Sequence, residues 1–196
     1  LTELLAAKNF AEAYLVWSTG RKTNDEGSPR GLAAIVNGGF EEPIPLDEPG
    51  FAWQLANTLG AALLSLDTNQ PHAGAQSLRL DWKGNSDPSK PVISQLVLVE
   101  PKTRYRLSFA ARTQDLLTIG LPLVTVIDAS DKEENVLAQS KALRGGTTGW
   151  QDYVTEFTTA ENTGAVLIRL RRENCATPQC AILGNLWLDD FQLTRL

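Results

Sequence analysis

Residues 104–113 read RYRLSFAART. Side chains on an extended backbone point alternately to opposite faces. Tyr105, Leu107, Phe109 and Ala111 therefore share one side, and Arg106, Ser108, Ala110 and Arg112 share the other. Residues 165–172, AVLIRLRR, repeat the pattern with Val166, Ile168 and Leu170 opposed to Leu167, Arg169 and Arg171. In each run one face is core, and the other, rich in Arg and small polar groups, is solvated surface or the floor of a ligand groove.

Outward from these two runs, everything after Gly31 consists of short apolar or alternating stretches separated by clusters of Gly, Pro, Asn and Asp. That is the pattern of an antiparallel all-β domain. Strands are predicted near 32–37, 51–56, 60–66, 76–82, 91–99, 104–113, 121–128, 151–158, 165–172 and 185–194, which suits two packed sheets. The DKEEN run at 131–135 reads as a solvated hairpin tip.

The beginning of the chain differs. Leu1, Leu4 and Leu5 recur at helical spacing, and Asn9 with Glu12 three residues later forms a capping-box-like start for a second helix carrying Phe10, Ala13, Tyr14 and Trp17. Residues 18–30, STGRKTNDEGSPR, lack apolar periodicity and read as linker. The expected organisation is a helical segment at 1–18, a linker at 19–30 and a β-sandwich at 31–196. The run AKNFAEAYLVW resembles part of a tetratricopeptide repeat, with Phe10, Ala13 and Trp17 at bulky, small and bulky positions. This implies an upstream repeat array and protein partners. A lone helical pair docked on the sandwich is the competing reading.

Composition narrows the function classes. With 42% hydrophobic and 21% charged residues in 196, the chain can bury one sizeable core. A net charge of -5 argues against duplex nucleic acid, whose binding rests on clustered Lys and Arg. No stretch approaches the roughly 20 apolar residues needed to cross a bilayer, so membrane insertion of this segment is not expected. The sequence starts at Leu1 without Met and reads as a piece of a longer protein. Cys175 and Cys180, in RENCATPQCAI, are the only cysteines. They flank a hairpin-like loop that either closes as a disulfide, pointing outside the cytoplasm, or carries two unbridged thiols.

Four segments in order, IVNGGFEEP (35–43), HAGAQSLRL (72–80), LVLVEPKTRYRLSFAART (96–113) and GNLWLDDFQL (184–193), resemble carbohydrate-binding modules of families 4 and 9, in the galactose-binding-like group. The resemblance spans about residues 32–195 and implies a two-sheet antiparallel jelly-roll β-sandwich. In NGGFE the paired glycines are expected to supply positive φ or a close backbone approach, with Phe40 entering the core. The resemblance also implies a structural calcium ion at the chain ends, held by Glu41, the loop around His72 and Gly74, and Asp190 or Asp189. Hard oxygen donors from three segments suit Ca²⁺.

Sugar recognition in such modules uses aromatic rings stacked on pyranose faces and planar polar side chains. The candidate rings are Trp53, Trp82, Trp150, Trp187, Tyr105 and Tyr153, and the polar set is Gln95, Arg112, Arg169 and Arg171. Trp53, Gln95, Arg112, Trp187 and Arg169 are the leading candidates. Trp150 is expected to pack structurally on the rim, and His72 to act as a loop residue. An Arg-lined groove favours an acidic glycan. No GxSxG, HExxH, P-loop or dinucleotide fingerprint occurs. Asp189 and Asp190, as neighbours on a strand, cannot flank one bond. The expected function is therefore a non-catalytic, extracytoplasmic module that binds a polysaccharide or oligosaccharide. The alternative is an interaction or spacer sandwich that binds no sugar.

Overall fold

The computed structural model describes residues 1–20, 31–45, 48–55, 62–176 and 180–196. Two helices, α1 (Thr2–Ala6) and α2 (Phe10–Gly20), precede the strands β1 (Gln54–Leu55), β2 (Ala62–Asp67), β3 (Ser77–Ser86), β4 (Ile93–Leu98), β5 (Arg104–Thr118), β6 (Pro122–Asp128), β7 (Val136–Gln139), β8 (Gly146–Thr158), β9 (Ala165–Arg172) and β10 (Cys180–Arg195). They form two five-stranded sheets: a front sheet in the order β1-β4-β9-β6-β7 and a back sheet in the order β2-β3-β10-β5-β8. Every pairing is antiparallel. The chain is thus mostly β, a sandwich of jelly-roll type, as the alternation in its sequence requires.

The core lies where the two inner faces meet. Tyr105, Leu107, Phe109 and Ala111 from the back sheet pack with Val124, Val126, Val166, Ile168 and Leu170 from the front sheet. Full burial of a large apolar side chain is worth about 1.5–3 kcal/mol relative to exposure, so these two faces dominate the fold's stability. Phe40, Trp53, Phe109 and Phe191 add a ring cluster, with Trp53 and Phe40 centroids 5.3 Å apart and Phe109 and Phe191 centroids 4.9 Å apart.

One predicted strand is absent and one observed strand was not predicted. Residues 32–33 and 36–37 lie in turns, with Ala33 and Asn37 at positive φ, and 34–35 have no regular structure. The place of a neighbouring strand is taken by the buried side chain of Gln95, whose Oε1 accepts from Val36 N at 3.1 Å and whose Nε2 donates to Val36 O at 2.8 Å. In the other direction, β7 is an edge strand with no counterpart in the sequence reading, and it follows the DKEEN tip directly. Residues 56–61, parts of two predicted strands, and 21–30, most of the expected linker, lie outside the described residues.

The NGGFE segment works by close approach. Gly38 O accepts from Phe191 N at 2.9 Å, and a Cβ on Gly38 would overlap the Phe191 carbonyl oxygen. Positive φ falls instead on Asn37 and on the fully buried Phe40.

At the opposite end Cys175 and Cys180 are joined as a disulfide, with Cα atoms 6.0 Å apart; residues 177–179 between them lie outside the description. Arg172, 1% exposed, crosses this end. Its guanidinium donates to Gly120 O (3.0 Å), Cys180 O (2.9 Å), Ser86 Oγ (2.7 Å) and Thr118 Oγ1 (2.6 Å). One cation therefore ties the ends of β3, β5 and β9 to the start of β10. Burial lowers its pKa below the usual value, yet an arginine has far to fall before losing its proton.

The helical head packs on the outer side of the front sheet. Phe10, Ala13 and Trp17 bury against Leu98 and Ala165 of that sheet and against Phe51 and Ala52. Tyr14 and Trp17 set their rings 5.0 and 5.6 Å from Phe51. Lys8, at positive φ between the helices, donates to the carbonyls of Ser130 and Asp131 and so pins the head to the β6–β7 loop. The bulky, small and bulky residues that suggested a repeat here face the sandwich. Among the described residues no helix is long and apolar enough to cross a membrane.

Candidate functional site

Directly paired residues in an antiparallel ladder lie on the same side of the sheet. Because Ile93, Val97, Val124, Val126, Val166, Ile168 and Leu170 face the core, the other parity of the front sheet faces out. Its register aligns three rows across the strands. Nearest the helices, Leu98 pairs with Ala165 beneath α2. Next comes an apolar row, Leu96–Leu167–Ile127–Val136. Beyond it a polar row crosses all five strands: Gln54–Ser94–Arg169–Thr125–Gln139. Arg171 stands two residues past Arg169 on the same face.

The polar row is incompletely satisfied. Arg169 donates through one terminal nitrogen to Glu134 at 2.6 Å, and Arg171 donates to Gln139 Oε1 at 3.2 Å. The Nε atoms of both arginines and Oγ1 of Thr125 are shielded from water and have no hydrogen-bond partner. Such unmet capacity is uncommon in folded proteins and calls for an explanation. Beside the row runs a cleft of about 210 Å³ between Leu5, Lys8 and Phe10 of the helical head, Ile127 and Leu167 of the sheet, and a rim of mixed charge made by Asp131, Lys132, Glu133, Glu134 and Arg169. An apolar strip flanked by forked donors matches the amphipathic surface of a sugar.

The expected site residues are divided by the fold. Arg169 and Arg171 lie on this face. Trp53 does not: it is 1% exposed, donates its Nε1 to Asn37 O at 3.0 Å, and belongs to the core, so it offers no stacking surface. Gln95 is likewise interior and occupied with Val36. Tyr105 and Trp82 are core, and Tyr153 packs against it.

Arg112 and Trp187 meet on the outer face of the back sheet, in the paired row Ser65–Arg79–Trp187–Arg112. The Arg112 guanidinium carbon sits 4.1 Å from the Trp187 ring centre and that of Arg79 sits 5.1 Å away. Trp187 is only 3% exposed and donates to Asp67 Oδ2 at 2.7 Å. Covered by cations and spent on a carboxylate, it is not a ligand platform. Burial pushes the Asp67 carboxyl up, but the bonds from Trp187 and Asn69 and the Arg79 charge outweigh it, leaving the group below its ordinary value. Arg112 also donates to Asn69 O (2.9 Å), and Trp150 Nε1 to Gln70 O (2.9 Å). This cluster fastens the β2–β3 loop to the sheet, and Trp150 has the structural role expected of it.

The residues named for calcium are drawn together at the chain ends. Asp189 Oδ2 accepts from His72 N (2.9 Å) and Ala73 N (3.1 Å), and its Oδ1 from Asp190 N (2.8 Å). Glu41 Oε1 accepts from Ala75 N at 2.9 Å beside Gly74. Their oxygens are thus met by amide N–H groups. Among the described residues no group of three or more His, Cys, Asp or Glu is placed to hold a metal ion.

Gln54, Ser94, Thr125 and Gln139 escaped the sequence reading. Each is an ordinary polar residue, and only the register across five strands puts them in one row with Arg169. Alternation in AVLIRLRR supplied the one signal available.

No family profile and no curated protein matches the chain. Solved structures do. A CBM4 module is similar with a TM-score of 0.57 at 16% identity, over 83% of this chain and 100% of that one. A CBM22 xylan-binding domain from Paenibacillus barcinonensis gives a TM-score of 0.51 at 17% identity, over 80% of this chain and 90% of that one. The enzymatically active domain of bacteriophage CBA120 tailspike protein 4 gives 0.56 at 15%, over 84% of this chain but 22% of that one. At these identities the likeness establishes the fold: a jelly-roll sandwich of the kind found in carbohydrate-binding modules. It lends no support to the repeat-like reading of the helical head.

Proposed function

We propose that this chain is a non-catalytic carbohydrate-binding domain, and that its glycan lies on the outer face of the front sheet. The observation that carries the reading is the polar row Gln54–Ser94–Arg169–Thr125–Gln139, whose partly exposed members Gln54, Ser94, Arg169 and Gln139 stand on one face beside Leu96 and Leu167, with Thr125 buried beneath them. Hydroxyl groups have donors and acceptors to meet on the row, and sugar C–H faces have the strip. The architecture shared with binding modules supports the reading, and so does the character of the face, on which Arg169 pairs with an exposed glutamate. The disulfide supports a place outside the cytoplasm, where such bonds persist.

Affinity electrophoresis through gels containing neutral and acidic polysaccharides tests this. Retardation that is lost in a Ser94→Ala, Gln139→Ala double variant with an unchanged melting temperature is the expected result. A folded protein retarded by no polysaccharide at millimolar sugar would leave the sandwich as an interaction or spacer domain.

A further inference from the structure

The front face offers no ring for stacking. Among the described residues the Phe, Tyr and Trp rings that are not buried are Tyr14, held in the helical head against Phe51, Tyr153, packed toward the core, and Trp150, on the back sheet. Discrimination between ligands here therefore rests on charge and hydrogen bonds. The face already displays what it can hold. Glu134, on the exposed β6–β7 tip with its side chain 69% exposed, reaches over to Arg169. The glutamate end of the pair is open to water although the Arg169 side chain is only 20% exposed, so an arriving carboxylate competes with Glu134 for the terminal nitrogen that holds it. Arginine's terminal nitrogens are suited to capturing carboxylates. Arg171 stands about 7 Å further along the strand by the rise per residue, engaged only by Gln139 at 3.2 Å.

We infer that the ligand of this face is a uronate-containing polysaccharide, whose carboxylates take the place of Glu134 on Arg169 and engage Arg171. This rests on the carbohydrate-binding reading above and adds the chemical class.

The probe is polygalacturonate compared with the same polymer fully methyl-esterified, alongside alginate as a second polyuronate and xylan as a neutral polymer. Titration calorimetry should show the free acid, or alginate, bound at least about tenfold more tightly than the ester and xylan, with affinity falling as salt rises. Arg169→Gln and Arg171→Gln should each weaken binding about tenfold. Glu134→Gln, at an exposed tip where folding is not at stake, should strengthen it up to about fivefold by removing the internal competitor. Equal or tighter binding of the ester or xylan overturns the inference and leaves carbohydrate binding intact. So does uronate binding indifferent to all three substitutions, which would place the site elsewhere. Failure of every polymer, with the fold verified by melting, overturns both.

Discussion

The carboxylate of Asp189 near the end of β10 accepts the backbone N–H of His72, more than a hundred residues earlier in the chain, at 2.9 Å. With Ala73 N on the same carboxylate, and Ala75 N on Glu41, backbone amides of the β2–β3 loop staple it both to the segment before β1 and to β10, at one end of the sandwich. Melting curves recorded with a chelator and with millimolar Ca²⁺ should therefore coincide. A rise of several degrees with calcium would show that an ion displaces these amides and completes the staple.

Asp67 and Asp189 should respond to pH with opposite sign. Asp67 is held below its ordinary value of 3.8, so its contribution is present above that pH and is lost as pH falls through the lower folded value. Burial raises Asp189 despite its three amide bonds, so its contribution is fully present below 3.8 and is lost as pH rises through the folded value. Asp67→Asn, which weakens the bond from Trp187, should cost about 1–2 kcal/mol at neutral pH. Denaturant titrations of the two proteins should converge below pH 3.8. A gap that stays constant into acid would show that the charge on Asp67 is immaterial.

Glycines separate by their neighbours. Gly38→Ala sets a Cβ into the Phe191 carbonyl and should destabilise by about 3 kcal/mol, since backbone cannot give way as a side chain can. Gly84→Ala, in β3 with nothing within 4 Å of the new atom, should stay within about 0.5 kcal/mol of the parent. Urea midpoints compare the two directly, and similar losses at both sites would refute the close-approach account of NGGFE.

Arg172→Met keeps the aliphatic volume and removes every donor at the disulfide end, stranding Cys180 O and Gly120 O. A loss of about 3 kcal/mol is expected. Calorimetry on the oxidised protein reads it, and a loss under about 0.5 kcal/mol would mean that water replaces the guanidinium.

How far the sequence carried depended on whether a residue's role was local. β5 and β9 were legible because alternation is a property of neighbours along one chain, and both inner faces are where RYRLSFAART and AVLIRLRR put them. β7 was not, because four residues at a sheet edge, two of them exposed, carry too little alternation to stand out after a charged tip. The run at 32–37 has the apolar character of a strand, yet its partner is a side chain, Gln95, which no pattern in 32–37 discloses. Trp53 and Trp187 show the same limit. A tryptophan that fills a core and one that receives a sugar look alike until burial is known. Arg169 was placed on the correct face by parity, whereas its companions in the row come from four other strands and are joined to it only by register.

The helical head also constrains how a polymer can lie. A chain threaded along β9 from Arg169 would reach Ala165, and the helix covering it, within about 13 Å. One laid crosswise, along the polar row from β1 toward β7, runs past the Leu5 and Phe10 wall of the cleft instead of into the helix over Ala165. Such a track grips interior stretches of a long polymer and is indifferent to the termini. Reducing-end modification or capping of an oligosaccharide should then leave its affinity untouched, as it would not at a site that recognises chain ends.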